Sequence, residues 1–160
     1  MKEMDASKPV AQDSPGYTVS SDPARIDAKA AHAFLSRSYW AQSIPYETVE
    51  RALSNSLCIG AFHEGTQVGL ARLVTDRATF AYLADVYVLE EHRGRGVSKM
   101  MMQAMRDHPE LQGLRRMLLA TRDAHGLYAQ FGFKPLMAPD RMMEINQPDI
   151  YTRGGRASAG

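Results

Sequence analysis

The chain has a single cysteine, Cys58, which excludes an intramolecular disulfide framework and any all-cysteine metal site. Histidine is sparse as well. His32, His63, His92, His108 and His125 show neither H-x-x-x-H nor H-E-x-x-H spacing, so no metal catalysis is expected. No apolar run approaches the roughly 18 residues of a membrane span. The first 20 residues carry Lys2, Glu3, Asp5, Lys8 and Asp13 without an apolar core, so no secretory signal is read there. Net charge is nearly absent too. Nineteen Lys plus Arg against 18 Asp plus Glu leave +1, without the global field of a protein that coats nucleic acid or an anionic membrane. The expectation is a soluble, cytoplasmic protein with no nucleic-acid or membrane partner.

What is present is ordinary. A length of 160 residues is close to one domain, on a prior of roughly 150 residues. That suffices to bury about two-thirds of the unfolded chain's surface. Residues 1–16 and 152–160 read as flexible tails around one domain, 17–151. There is no internal repeat. Tyr17 to Ser20 reads as a short strand, and Asp22-Pro23 starts a helix with Ile26, Ala30, Ala33 and Phe34 on one face. Pro45 opens a second helix through Tyr46, Val49, Ala52 and Leu53. Leu57–Phe62 and Gln67–Val74 flank the turn His63-Glu64-Gly65-Thr66 as a hairpin, and Thr79–Leu89 is a third strand. Val97, Met100, Met101, Ala104 and Met105 then keep helical spacing, which assigns these methionines to a core helix. Arg116–Ala120 is a strand and Ala124–Gln130 a short helix; another strand is expected over Arg141–Ile145. Cys58 sits in an apolar strand and reads as a buried small hydrophobe. The order predicts a mixed α/β (α+β) fold.

One segment is informative beyond fold class. From Asp85 to Lys99 the sequence reads as a strand, a turn holding Gly94 and Gly96, and the start of the amphipathic helix. Glycines allow a sharp turn, and the first helical turn offers unpaired N–H groups and a dipole that favours an anion. Arg93, Arg95 and Lys99 add positive charge. The combination suits a phosphate or pyrophosphate, the plainer alternative being a tight connection with solvated basic residues. A dinucleotide fingerprint lacks its third glycine in Gly94-Arg95-Gly96-Val97-Ser98-Lys99, and no P-loop is present.

This segment resembles the GNAT superfamily of N-acetyltransferases, whose signature [QR]-x-x-G-x-[GA] follows a strand and opens a helix. Here it is Arg93-Gly94-Arg95-Gly96-Val97-Ser98, after Val86-Tyr87-Val88-Leu89. Ser98 departs from the last position, and Glu90 stands where many relatives have proline. Downstream, Ala124-His-Gly-Leu-Tyr-Ala-Gln-Phe-Gly-Phe133 is similar to the family's A-x-x-L-Y-x-x-x-G-F segment. Thr121 replaces an asparagine common in relatives. The motifs cover residues 85–133, and the order of elements extends the likeness over 17–145.

The resemblance implies a GNAT-like fold with a mostly antiparallel sheet flanked by helices, and acetyl-CoA as cosubstrate. In such enzymes the central strand splays from its neighbour and its backbone pairs with the pantetheine arm, a role that falls on Val86, Tyr87 and above all Val88. The amides of Arg93, Gly94, Arg95, Gly96, Val97 and Ser98 then hold the pyrophosphate. Lys99 either meets the adenosine phosphate or is a solvated helix residue, and Thr121 inherits the asparagine's place beside the cofactor. Tyr128 is implied near the CoA sulfur as general acid; a phenol with an ordinary pKa of about 10 stays protonated at neutral pH. Asp85 is the candidate base, with a carboxylate bonded to a neighbouring loop as the alternative, Asp76 and Asp123 as weaker candidates, and solvent as a fourth route.

Tyr39, Trp40 and Tyr46 cluster where relatives shape the acceptor pocket, although aromatics between two helices also read as core. The implied activity is acetyl transfer to a primary amine of a small molecule or a protein, by direct attack in a ternary complex. A homodimer is consistent with relatives. The rival readings are a non-catalytic acyl-CoA sensor, and a nucleic-acid module using Arg93, Arg95, Arg115, Arg116 and Arg122. Steep salt dependence would mark the latter.

Overall fold

In a computed structural model of the chain, residues 15–153 are described. Most of the two expected tails fall outside them. Five strands, β1 (Tyr17–Ser20), β2 (Leu57–His63), β3 (Thr66–Thr75), β4 (Phe80–Val88) and β5 (Arg116–Leu119), form one sheet in the order β1-β2-β3-β4-β5. All neighbours are antiparallel except β4 and β5, which run parallel. The helices are α1 (Ala28–Leu35), α2 (Tyr46–Ser54), α3 (Val97–Asp107) and α4 (His125–Ala129). The result is a mixed α+β fold with a mostly antiparallel sheet flanked by helices.

The β2–β3 hairpin follows from its turn. Glu64 and Gly65 both take left-handed φ, 51° and 81°, which a two-residue turn needs if its twist is to match the strands. Strand alternation then feeds two cores. Cys58, Leu70 and Tyr87 point to one face and pack with Ala31, Leu35, Val49 and Leu53 of α1 and α2. Ile59, Ala61, Leu73 and Leu83 point to the other, where Val97, Met100, Met101, Met102 and Met105 of α3 cover them. Each Val, Leu, Ile or Met among them contributes about 1.5–3 kcal/mol when fully buried.

Two sequence expectations are corrected. The first helix does not start at Asp22. Asp22 caps only a single turn, Pro23–Arg25, and Ile26 returns to extended backbone. Asp27 then accepts the Ala30 N–H and starts α1, so Ala31 and Leu35 are its buried residues and Ala33 is exposed. The strand over Arg141–Ile145 does not form either. Arg141 closes a short 3-10 turn, and Met143 and Ile145 are 97% and 95% exposed. Their alternation is strand-like, but among the described residues no neighbouring edge pairs with them.

Burial has a consequence at high pH. It pushes the Cys58 thiol up to about 11 and the Tyr87 phenol up to about 12. Both groups hold their protons more tightly folded than unfolded. Their stabilising contribution is therefore complete below about pH 9 and is lost as the pH rises through 11 and 12. Urea midpoints measured across this range should fall steadily, and Cys58→Ala should make the decline shallower.

Candidate active site

At the N-terminus of α3 the backbone is set by Gly94 and Gly96, with φ of 76° and 79°. Gly96 is the cap residue, no side chain bonds this end, and the first helical bond runs from the Met100 N–H to the Gly96 carbonyl. The amides ahead of Met100 thus have no i−4 partner in the helix. A Cβ placed on Gly94 would have no heavy atom within 4 Å, so the turn is open on that side. The preceding turn is tied to β1 by a 2.8 Å hydrogen bond between Tyr17 Oη and His92 Nδ1. Arg93 Nε donates to the Val88 carbonyl at 2.9 Å, so one backbone acceptor expected to be open on β4 is taken by the signature arginine. Ser98 is half-buried and Lys99 exposed.

The next strand feature is a notch. Pairing of β4 with β5 runs from Phe80↔Arg116 to Leu83↔Leu119 and stops there. Beyond it, among the described residues, β4 pairs only with β3, which leaves the other edge of Val86 and Tyr87 without a strand partner, while Arg93 takes the Val88 carbonyl. The β3–β4 register also shifts: Leu70 faces Tyr87 and Arg72 faces Ala84, so Asp85 and Val86 together oppose Ala71. This is a β-bulge, and Asp85 carries it with φ of 55°, a left-handed conformation that aspartate tolerates better than most residues.

A cleft of about 620 Å³ occupies the notch. It brings together Asp85, Val86, Thr121 and Tyr128 with Tyr39 and Trp40 of the α1–α2 connection. The Asp85 carboxylate accepts from Arg72 Nε at 2.7 Å and from Trp40 Nε1 at 2.8 Å. Arg72 also donates to Ser56 Oγ at 3.1 Å. With side-chain exposures of 13% and 19%, Asp85 and Arg72 form a shielded pair, and the bond to the α1–α2 connection is the one weighed as the alternative for Asp85. Tyr128 is 8% exposed, its ring set edge-on to Phe133 at 5.9 Å. Its hydroxyl makes no hydrogen bond to any described residue. Burial first, then the charge of Asp123, raises its pKa above the ordinary phenol value. Thr121 Oγ1 accepts the Ala124 N–H at 3.0 Å and so fixes the start of α4.

Other candidates lie elsewhere. Tyr46 is outside the cleft lining, with its ring against His32 and its hydroxyl donating to Glu50. The Tyr87 ring stacks on Phe34 at 4.0 Å inside the core. Asp76 caps the β3–β4 turn: the Thr79 hydroxyl donates to it at 2.6 Å, as do the N–H groups of Thr79, Ala78 and Phe80, and these bonds hold its carboxyl far below the usual range. Four cleft residues escaped the sequence reading: Arg72, Tyr82, Arg122 as an acceptor-site group, and Tyr151. Arg72 had a signal, being the lone charge in an otherwise apolar strand run. Tyr151 had none, since it returns to the cleft from the far end of the domain.

The chain matches the acetyltransferase (GNAT) family over residues 27–133. A Gibberella zeae protein bearing the provisional name of acetyltransferase is 35% identical over 154 residues, covering 81% of this chain and 86% of its own. A crystal structure from Xanthomonas campestris pv. campestris, provisionally described as a GNAT-family acetyltransferase, superposes with a TM-score of 0.85 at 51% identity, over 87% of this chain and 99% of that one. A Deinococcus radiodurans structure provisionally described as an acetyltransferase shares the fold at a TM-score of 0.67 and 18% identity, over 94% and 96% of the two chains. With two motifs on the elements that form the cradle and the notch, the chain belongs to the GNAT acetyltransferase family.

Proposed function

We propose that the protein is a cytoplasmic, acetyl-CoA-dependent N-acetyltransferase that modifies a primary amine of a small molecule or protein by direct attack in a ternary complex. The observation that carries this reading is the notch beside β4: its cleft holds Asp85, Val86 and Tyr128, whose hydroxyl has no partner among the described residues, and β4 leads on to the uncapped amides at the start of α3.

Acetyl-CoA, when bound, supplies an acetyl group activated as a thioester. The Arg93 N–H, expected among the pyrophosphate donors, already donates to the Glu90 carbonyl at 3.2 Å, so the amides of Gly94 to Ser98 would hold the pyrophosphate, with Arg95 and Lys99 adding charge, and the Val86–Val88 backbone would align the pantetheine arm. Attack by the neutral amine forms the C–N bond as the C–S bond breaks. Tyr128 gives its proton to the departing thiolate. Asp85 takes the amine's proton through water, its two oxygens already holding Arg72 and Trp40 in place. An assay of thiol release over an amine library, with mass spectrometry of the acetylated amine, tests the reading. CoA-ester binding without transfer to any amine would replace it with the sensor reading.

A homodimer belongs to the same proposal. The outer edge of β5 has no partner among the described residues, and Arg116 meets Met142 Sδ at 3.8 Å where the exposed, strand-patterned segment begins. One chain thus carries both an open edge and an unpaired strand sequence, a self-complementary arrangement. Light scattering should give about twice the 17.8 kDa chain mass, and Met143→Glu should shift it toward the monomer.

A further inference from the structure

Charge bookkeeping in the cleft points to a narrower class of acceptor. Four charged side chains line it: Arg72, Asp85, Arg122 and Asp123. The first two neutralise each other at 2.7 Å, and Trp40 takes the remaining Asp85 oxygen. Arg122 and Asp123 are different. Neither makes a hydrogen bond or an ion pair with any described residue. Arg122 is nonetheless held, because its guanidinium lies 3.8 Å from the centre of the Tyr39 ring. A guanidinium stacked by its face keeps its N–H edge available, and that edge matches a carboxylate with two parallel hydrogen bonds. Asp123 lines the same cleft as Tyr128, and its charge adds to burial in raising the phenol's pKa.

We infer that the acceptor is an α-amino acid with an apolar or aromatic side chain, its carboxylate held by Arg122 and its ammonium drawn in by Asp123. The inference rests on the acetyltransferase reading above. A zwitterion complements one unpaired cation and one unpaired anion, whereas a simple amine leaves Arg122 unanswered. Tyr39, Trp40, Tyr82 and Tyr151 supply flat walls for the side chain. Once the ammonium has given up its proton, the amine nitrogen forms the amide bond and loses its second proton. The thiolate leaves and is protonated, so the products are the N-acetyl amino acid and free CoA.

The test compares L-phenylalanine, L-phenylalanine amide and phenethylamine as acceptors at saturating acetyl-CoA, for the native protein and for Arg122→Gln and Arg122→Lys. The amide's amine loses its proton more readily than the amino acid's, so chemistry alone favours the amide. Carboxylate recognition should reverse that, with kcat/KM for phenylalanine about 10- to 100-fold above the amide, the range of a charge-assisted hydrogen bond. In Arg122→Gln this ratio should collapse to one or below, mostly through KM. Arg122→Lys, a point charge without the fork, should fall between. A native ratio at or below one, or a ratio untouched by Arg122→Gln, overturns the inference while leaving acetyl transfer standing. No transfer to any amine by a protein that binds acetyl-CoA overturns both.

Discussion

Tyr128→Phe should lower kcat by about 10²- to 10⁴-fold, the usual worth of a positioned general acid, with the Kd for acetyl-CoA little changed. The substitution is unusually clean. The ring, edge-on to Phe133 and 8% exposed, is kept, so the core around α4 loses no packing. The hydroxyl has no partner among the described residues, so its removal orphans no buried donor or acceptor and carries no desolvation penalty. A fall in stability is therefore not expected, and thermal melts of the two proteins should coincide. The sign of the pH effect follows from the same environment. Burial and Asp123 raise the phenol's pKa, and an acid works only while protonated. Activity should thus show no loss from Tyr128 until the pH passes the ordinary phenol value of about 10. A kcat within a few-fold of the native value in Tyr128→Phe removes the residue from the acid role.

Gly96→Val should raise the Kd for acetyl-CoA by at least about 100-fold, because two or more charge-assisted amide contacts, each worth about 1.5–3 kcal/mol, are lost together. Gly96 caps α3 at φ of 79°. A side chain there costs roughly 1–2 kcal/mol in the left-handed region, and a β-branched one is the least tolerated. Either the turn relaxes and the amides swing out of alignment, or Cβ and its methyls stand beside them. Gly94→Ala separates strain from occlusion. Its φ is similar, 76°, but a Cβ there meets nothing within 4 Å, so the loss of affinity should be smaller. Calorimetry with both variants, beside circular dichroism to confirm α3, gives the ordering. Equal affinity in Gly96→Val and the native protein would mean the turn holds no phosphate.

The turn and α3 were legible in the sequence because local rules agree there: strand alternation, two glycines, then apolar residues at helical spacing. The bulge that carries Asp85 was not legible, since neither glycine nor proline marks it and the left-handed φ falls on an aspartate. Its partners were hidden for a related reason. Arg72 and Trp40 reach Asp85 from 13 and 45 residues away, and sequence spacing is blind to such contacts. The start of α1 was misplaced because Asp22 and Asp27 both cap, and the pattern around Pro23 suits either. At Arg141–Ile145 the alternation is real, yet a strand exists only when an edge pairs with it. Tyr46 shows the limit of proximity in sequence: six residues beyond Trp40, it faces His32 and Glu50 instead of the cleft.

Titration calorimetry of the native protein with acetyl-CoA is the most direct measurement, because every assigned role depends on that cosubstrate. Saturable binding of one acetyl-CoA per chain is expected, competed by CoA and abolished or greatly weakened in Gly96→Val. No detectable binding to the native protein would contradict the cradle, the notch and the mechanism together.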